Sequence, residues 1–331
     1  MRYRELVPGI TVSELGFGNW TVTTGWWGEY TEQQAIDLHQ SAFDRGVTFF
    51  DTADGYGDGY AEEVLAKALA GKRDQVVLAT KFGYDLEAGS ERRGQTERPH
   101  RTDVPYVRQC LENSLRRLNT DVIDVYQLHN PRMNHVEQDD LWEFLESAKT
   151  EGKIRAYGTA LGPRIGWLDE GLAAMDQDRG KAMQMIYNLL EQEPGTGLIA
   201  KARETDTALI VRVPHSSGML EGDLTEDTVF PENDHRRHRP RSWLVEGVQK
   251  VATLGFLTEG RTLAQAALRW VLSTPEIACT LPNIYNMAQL DEFAAASDVP
   301  DLTAEELQMV ADLYARNFDV EPSGLTEKIG A

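Results

Sequence analysis

Asp51 and Tyr56 stand five residues apart in FFDTADGYG, at the close of an apolar run. Lys81 closes the next such run, VVLATKF, and His129 closes VIDVYQLHNP. In a chain of alternating strands and helices, the C-terminal ends of the strands share one rim of a sheet or barrel, where ligands bind. A carboxylate, a phenol, an amine and an imidazole converging on that rim can move protons. The phenol sets the chemistry: free in water it ionises near pH ~10 and is a poor acid at neutrality, but an adjacent ammonium stabilises its phenolate. The expectation is that Lys81 tunes Tyr56, that Asp51 keeps Lys81 charged and in place, and that the set delivers a proton to a carbonyl oxygen. Singly, each residue has a plainer reading: Asp51 as a turn cap, Tyr56 as a loop aromatic, His129 as a satisfied core imidazole. Together at strand ends they point to a site.

The elements that must position them are apolar runs followed by amphipathic segments. Runs at 14–20, 47–54, 76–82, 122–129, 153–160, 182–188, 208–214 and 277–283 read as eight strands. TEQQAIDLHQSAFDRG reads as a helix, with Thr31 and Gln34 forming a capping box and Gly46 a stop. Further helices are expected at 61–69, at 104–118 with Cys110, Leu111, Leu115 and Leu118 near one face, and at 289–296. Strands apolar on both faces, each followed by a helix, fit a (β/α)8 TIM barrel with packed side chains inside and helices outside. No linker divides the chain, so a single domain is expected over 1–318, with a C-terminal tail at 319–331 and an extra helix at 302–315 outside the barrel. Two long loops, 84–102 and 215–240, fall on the functional rim.

Bulk properties exclude several classes. Thirty-three basic residues against 53 acidic ones give a net charge of −20, which argues against nucleic-acid or anionic-membrane binding. The opening MRYRELVPGITVSELGFG has no long apolar core and is expected to be neither signal peptide nor membrane anchor. Two cysteines, Cys110 and Cys279, imply no disulfide framework and fit a reducing cytoplasm. The basic runs at 91–101 and 235–241 read as surface loops, with a phosphate or substrate contact as the alternative. His235 and His238 lack a fixed set of metal-ligating partners, so no metal is expected. DGYGDGY lies between a strand and a helix, but its glycines occupy the first, third and fifth positions. A dinucleotide fingerprint needs the first, third and sixth, so a Rossmann site is rejected.

With these motifs in hand, the chain resembles the aldo-keto reductases over nearly its whole length. FDTADGYG and LATKFG are similar to the segments that carry the family's catalytic Asp, Tyr and Lys, and SLRRLNTDVIDVYQLHNP to the longest family signature, which ends at its histidine. EGKIRAYG, MQMIYNLL, VPHSSGMLEG and AQAALRWVL follow in family order. The resemblance implies a barrel that binds an extended nicotinamide cofactor, NADP or NAD, and reversibly reduces an aldehyde, ketone or sugar carbonyl. Its catalytic tetrad maps to Asp51, Tyr56, Lys81 and His129. It also implies cofactor contacts at Gln184, at Tyr187 as the aromatic under the nicotinamide ring, and at Ser216, Ser217, Gly218, Met219 and Leu220 over the pyrophosphate. The last strand's loop would add Asn283, Tyr285, Asn286 and Gln289.

The departures matter as much. Ala160 and Leu161 stand where the family has the Ser-Asn pair that holds the nicotinamide carboxamide, and His215 replaces a leucine. No Lys or Arg occurs between Pro282 and Phe293, where relatives bind the 2′-phosphate of NADP, which leans the residues toward NAD or dual use. Trp20, Trp26 and Trp27 are substrate-pocket candidates, a hydrophobic plug being the equal alternative. A small-molecule carbonyl partner and a monomer are expected, a homo-oligomer being the other option. Two rival functions stand beside this one: a redox-impaired cofactor-binding barrel serving as a regulatory or binding subunit, and a metal-dependent isomerase or hydrolase.

Overall fold

A computed structural model of the protein describes residues 1–88, 97–162 and 167–329. The chain opens with a hairpin, β1 (Tyr3–Val7) antiparallel to β2 (Ile10–Ser13), turning at Gly9, whose φ of +81° favours a residue without a side chain. Eight parallel strands follow in sequence order around the barrel: β3 (Gly16–Gly18), β4 (Phe49–Asp51), β5 (Val77–Phe82), β6 (Ile123–His129), β7 (Ile154–Ala160), β8 (Ala182–Ile186), β9 (Ala208–Arg212) and β10 (Ile277–Leu281). A bridge between Leu15 and Thr280, with the Thr280 amide 2.8 Å from the Glu14 carbonyl, closes β10 onto the start of β3.

Helices Glu32–Asp44, Tyr60–Ala68, Val104–Arg117, Asp139–Thr150, Trp167–Asp176, Gly195–Thr205, Leu263–Leu272 and Met287–Ala294 each follow a strand, and this is the expected (β/α)8 barrel. Thr31 and Gln34 form the expected capping box. Arg241–Ala252 and Ala304–Ala315 are additional helices. Among the described residues no helix is long and apolar enough to cross a membrane.

Alternation along the strands decides which side chains face the barrel axis. Phe49, Val77, Ala79, Val125, Ala156, Ala182, Ile210 and Cys279 pack together inside with Leu6, Val7, Ile10 and Val12 of the hairpin, which plugs the N-terminal end. Two residues further along the same faces lie Asp51, Lys81, Gln127, Gly158, Gln184 and Arg212. Two more on β6 and β7 lie His129 and Ala160. The pairing register agrees, with Lys81 opposite Gln127, His129 opposite Ala160, Ala160 opposite Gln184, and Ile186 opposite Arg212. The intervening residues pack outward beneath the helices.

The hairpin and the helix Arg241–Ala252 were not foreseen. YRELV is too short and too charged to register as an apolar run, and its burial depends on the open barrel end it covers. The run at 14–20 is a three-residue strand followed by a short helix, Trp20–Thr23, so Trp20 starts a helix instead of ending a strand.

Candidate active site

Lys81 and Asp51 form the floor of the mouth. The ammonium donates to Asp51 Oδ1 at 2.5 Å and to the Thr52 carbonyl at 2.7 Å. Lys81 is only 1% exposed and Asp51 5%. A buried ammonium costs several kcal/mol unless it is paired and hydrogen-bonded, and here it is both. Gln184 donates from Nε2 to Asp51 Oδ2 at 3.0 Å, so the carboxylate is held from both sides.

Tyr56 lies above this pair. Gly57 and Gly59 turn the chain with φ of +61° and +96°, and a Cβ on Gly59 would lie 2.5 Å from Arg117 Cδ. The glycines of DGYGDGY therefore shape the turn that presents Tyr56, consistent with rejecting a dinucleotide fingerprint. The Lys81 ammonium is 5.2 Å from the centre of the Tyr56 ring. His129 closes the set, its ring 5.9 Å from that of Tyr56 and nearly perpendicular to it. All four candidates thus meet at one end of the barrel.

A second layer orients His129. Its carbonyl accepts from His100 Nε2 at 2.9 Å, and the Tyr84 ring stands 5.1 Å from the imidazole. The Tyr84 hydroxyl donates to Glu97 at 2.6 Å and accepts from Asn130 at 2.6 Å, while Arg132 pairs with Glu97. Burial raises the Tyr84 phenol above its usual range and lowers His135, beside His100, to about 4.

The remaining candidates divide. Ser216, Ser217 and Gly218 form a left-handed turn after β9, with φ between 48° and 91°. The Ser217 hydroxyl accepts from Arg239 at 2.9 Å and the Ser216 hydroxyl donates to Glu191 at 3.1 Å. The Met219 and Leu220 side chains are core, Met219 against Gly247, so only their backbone can face a ligand. His215 is a core imidazole, donating Nε2–H to the Ala264 carbonyl, with Nδ1 buried without a partner among the described residues, and it is lowered to about 4 by burial.

Tyr187 directly follows β8, and its ring stacks on that of Trp270 at 4.8 Å in the outer hydrophobic layer, away from the Lys81–Asp51 pair.

After β10, Asn283 accepts from Thr21, and Asn286 caps the helix Met287–Ala294 through the Gln289 amide. Tyr285 and Gln289 both donate to Glu221 Oε2, at 3.0 and 2.8 Å. Glu221 Oε1 is buried without a partner among the described residues, and burial raises this carboxyl to about 7. Where a phosphate-binding cation was absent from the sequence, the fold adds a carboxylate.

The tryptophans connect two loops. Trp27 stacks on Tyr285 at 6.2 Å and lies against Trp20, while Trp20 and Trp26 each meet His235 at 5.6 Å. Trp27 therefore belongs with the last strand's loop. His235 is lowered to about 4 by burial, and its ring centre is 6.4 Å from that of His238. The 235–241 loop is not a bland surface: Arg236 pairs with Asp234 at 2.7 Å over Trp27, and Arg239 reaches the serine turn. Residues 91–96 of the other basic run lie outside the described residues.

One inward-facing residue was missed. Arg212 ends β9 and donates from Nη2 to the Leu161 carbonyl at 2.7 Å, while its Nε is buried without a partner among the described residues. Burial pushes the guanidinium's pKa down, and Tyr56, Asp51 and Tyr84 facing it push back. ALIVR carried the signal that singled out Lys81, a cation closing an apolar strand.

Comparison with known proteins fits this geometry. The model of the Aldo/keto reductase family matches residues 14–315. The chain is 32% identical over 288 residues to the aldo-keto reductase YhdN of Bacillus subtilis, covering 83% of this chain and 82% of that one. Its fold is similar to that of aldo-keto reductase AKR11C1 from Bacillus halodurans in the holo form, with a TM-score of 0.77, 29% identity and coverage of 95% and 96%. It is also similar to an aldo-keto reductase from Klebsiella pneumoniae in complex with NADPH, with a TM-score of 0.67, 26% identity and 93% of each chain covered. A barrel with an acid, a phenol, a lysine and a histidine at its mouth, matched from Glu14 to Ala315, belongs to the aldo/keto reductase family.

Proposed function

We propose that the protein is a nicotinamide-dependent oxidoreductase that reversibly converts the carbonyl of an aldehyde, ketone or sugar to the alcohol. The observation that carries this reading is the buried Lys81–Asp51 pair beneath Tyr56, with His129 beside the phenol. Tyr56 donates its proton to the carbonyl oxygen in reduction and takes it back in oxidation. The Lys81 ammonium stabilises the resulting phenolate by its charge, and Asp51 keeps that ammonium in register. His129 hydrogen-bonds the carbonyl oxygen and fixes its approach to Tyr56. Trp20 and Trp26 are candidate walls for the substrate.

The residues fit a dinucleotide. Gln184 and the Arg212 Nε, unpartnered among the described residues, supply polar groups in the mouth, Ser216 and Ser217 with Arg239 supply them along the rim, and Tyr285 offers a stacking face with Trp27 behind it. The bound cofactor would supply the hydride. The Klebsiella relative's complex with NADPH supports NADP, whereas Glu221 beside Tyr285 supports NAD. We read the preference as dual or toward NAD. The buried, unpaired Cys110 and Cys279 support a cytoplasmic setting.

An aldehyde and sugar panel assayed with NADH and with NADPH tests the proposal, the expected result being turnover with at least one pair. Ala160 and Leu161, which lack the polar side chains of a carboxamide clamp, favour a second reading as a redox-impaired binding subunit. Quenching of tryptophan fluorescence by either reduced cofactor, with no turnover on any substrate, would favour that reading. No binding at all would sink both.

A further inference from the structure

Nothing on β7 can hold a carboxamide through a side chain, since the strand ends in Ala160 and continues to Leu161. Across the mouth, Arg212 faces inward by the same alternation that turns Ile210 into the barrel interior. Its side chain passes in front of β8, the intervening strand, to donate to the Leu161 carbonyl at 2.7 Å. The guanidinium therefore lies at the end of β7, next to Gln184, whose Nε2 holds Asp51. Its Nε remains buried and unpartnered among the described residues, a donor that costs free energy unless a ligand takes it up. Lys81 and Asp51 cancel as a pair, so among these strand-end groups Arg212 leaves one positive charge uncompensated.

The chemistry places the nicotinamide here. Hydride and proton must reach the carbon and oxygen of one carbonyl, so the ring has to lie within contact distance of a substrate held by Tyr56. Tyr56 heads the groups that interact electrostatically with Arg212.

We propose that Arg212 binds the nicotinamide in place of the absent Ser-Asn clamp and that its fixed charge makes the protein hold the reduced cofactor more tightly than the oxidised one. The dihydronicotinamide ring is neutral and the oxidised ring is cationic, so a guanidinium in a partly desolvated mouth discriminates between them. The carboxamide oxygen accepts from the guanidinium in both states, and the ring charge is repelled in one. The proposal rests on the oxidoreductase reading and adds to it a preference for one redox state of the cofactor.

Equilibrium binding tests it, with no substrate present. Dissociation constants for NADH, NAD⁺, NADPH and NADP⁺ are measured by tryptophan fluorescence on the unmodified protein and on Arg212→Lys, Arg212→Gln and Arg212→Met. The unmodified protein is expected to bind the reduced form of each pair about tenfold more tightly than the oxidised form, a modest charge–charge repulsion in a partly desolvated site. The neutral variants should weaken both forms and bring the ratio toward unity, while Arg212→Lys should keep the preference. A purely structural tie to Leu161 would weaken both forms with the ratio unchanged, and that result overturns the proposal. So does a ratio near unity in the unmodified protein, a measurement that stands if no variant folds. Failure of every cofactor to bind overturns the oxidoreductase reading and this inference together, whereas binding without redox discrimination overturns the inference alone.

Discussion

Tyr56, Lys81 and Asp51 act through one another, so their substitutions should fail in different ways. Tyr56→Phe keeps the ring and its packing against His129 but removes the proton. Turnover should fall by roughly 10²–10⁴, while fluorescence titration shows cofactor affinity nearly unchanged. A variant that keeps most of its turnover number would remove Tyr56 from the mechanism. Lys81→Met leaves Asp51 buried with only Gln184 as a side-chain donor. Turnover should fall, and the pH profile of residual alcohol oxidation should move upward, because the phenolate loses its cation. An unchanged profile in a folded variant contradicts the tuned phenol. Tyr56 sits on a turn that glycines define, and Lys81 on a strand that burial defines. Both features are local, which is why FDTADGYG and VVLATKF could be read directly.

At the scale of elements, the loops after β9 and β10 decide the dinucleotide. Glu221 comes from one and Tyr285 and Gln289 from the other, and their hydrogen bonds join the loops beside Trp27. An ionised Glu221 repels a 2′-phosphate and accepts a ribose hydroxyl, so NADH should bind at least as tightly as NADPH at pH 8. Tyr285→Arg should shift the balance toward NADPH by about ten- to a hundredfold, the worth of one charged hydrogen bond to phosphate. The shift should shrink in high salt, where an exposed pair is screened. If unmodified protein already binds NADPH a hundredfold more tightly, the phosphate is met from elsewhere, with Arg236 and Arg239 the candidates. Glu221 also has a signature in stability. Its folded carboxyl titrates at about 7 against an unfolded value of 4.5, so between these values the folded state holds a proton that the unfolded state has lost. Stability from this group therefore falls as pH rises from about 4.5 to 7 and is level above that. Glu221→Gln should flatten that slope in urea titrations. A slope unchanged by the substitution would mean that this carboxyl titrates like an exposed one.

For the whole molecule, two electrostatic effects oppose each other in acid. His39 and His215 are buried in the outer shell, each lowered to about 4 by desolvation. Unfolded imidazoles bind protons near pH 6.5, so from there down to about 4 the unfolded state takes up protons that the folded state refuses. Stability is lost over that window as pH falls. The net charge of −20 works the other way, since protonating carboxylates relieves self-repulsion. At about 1 M salt the Debye length is ~3 Å and repulsion is largely screened, so the two imidazoles should outweigh the opposite slope of the single Glu221 carboxyl and the urea midpoint should drop between pH 6.5 and 4. At neutral pH, added salt alone should raise the midpoint. A midpoint indifferent to salt would show that the surface charge is too dispersed to matter.

The eight strands, the capped first helix and the meeting of Asp51, Tyr56, Lys81 and His129 at one barrel end followed from the sequence because each depends on local signals: apolar runs, turn glycines, and polar groups closing an apolar run. The stacking of Tyr187 on Trp270 was not legible in the same way, since it joins the end of β8 to a helix more than eighty residues away. The plug hairpin, the Glu221–Tyr285 junction and the Arg239–Ser217 contact join segments far apart in the chain. No periodicity encodes them, because their free energy comes from burial and charge that exist only once the barrel has closed. Arg212 lies between the two cases. Its type and place were visible at the end of ALIVR, but its reach to Leu161 across the mouth was set by the closed barrel, which brings the ends of β7 and β9 to either side of β8.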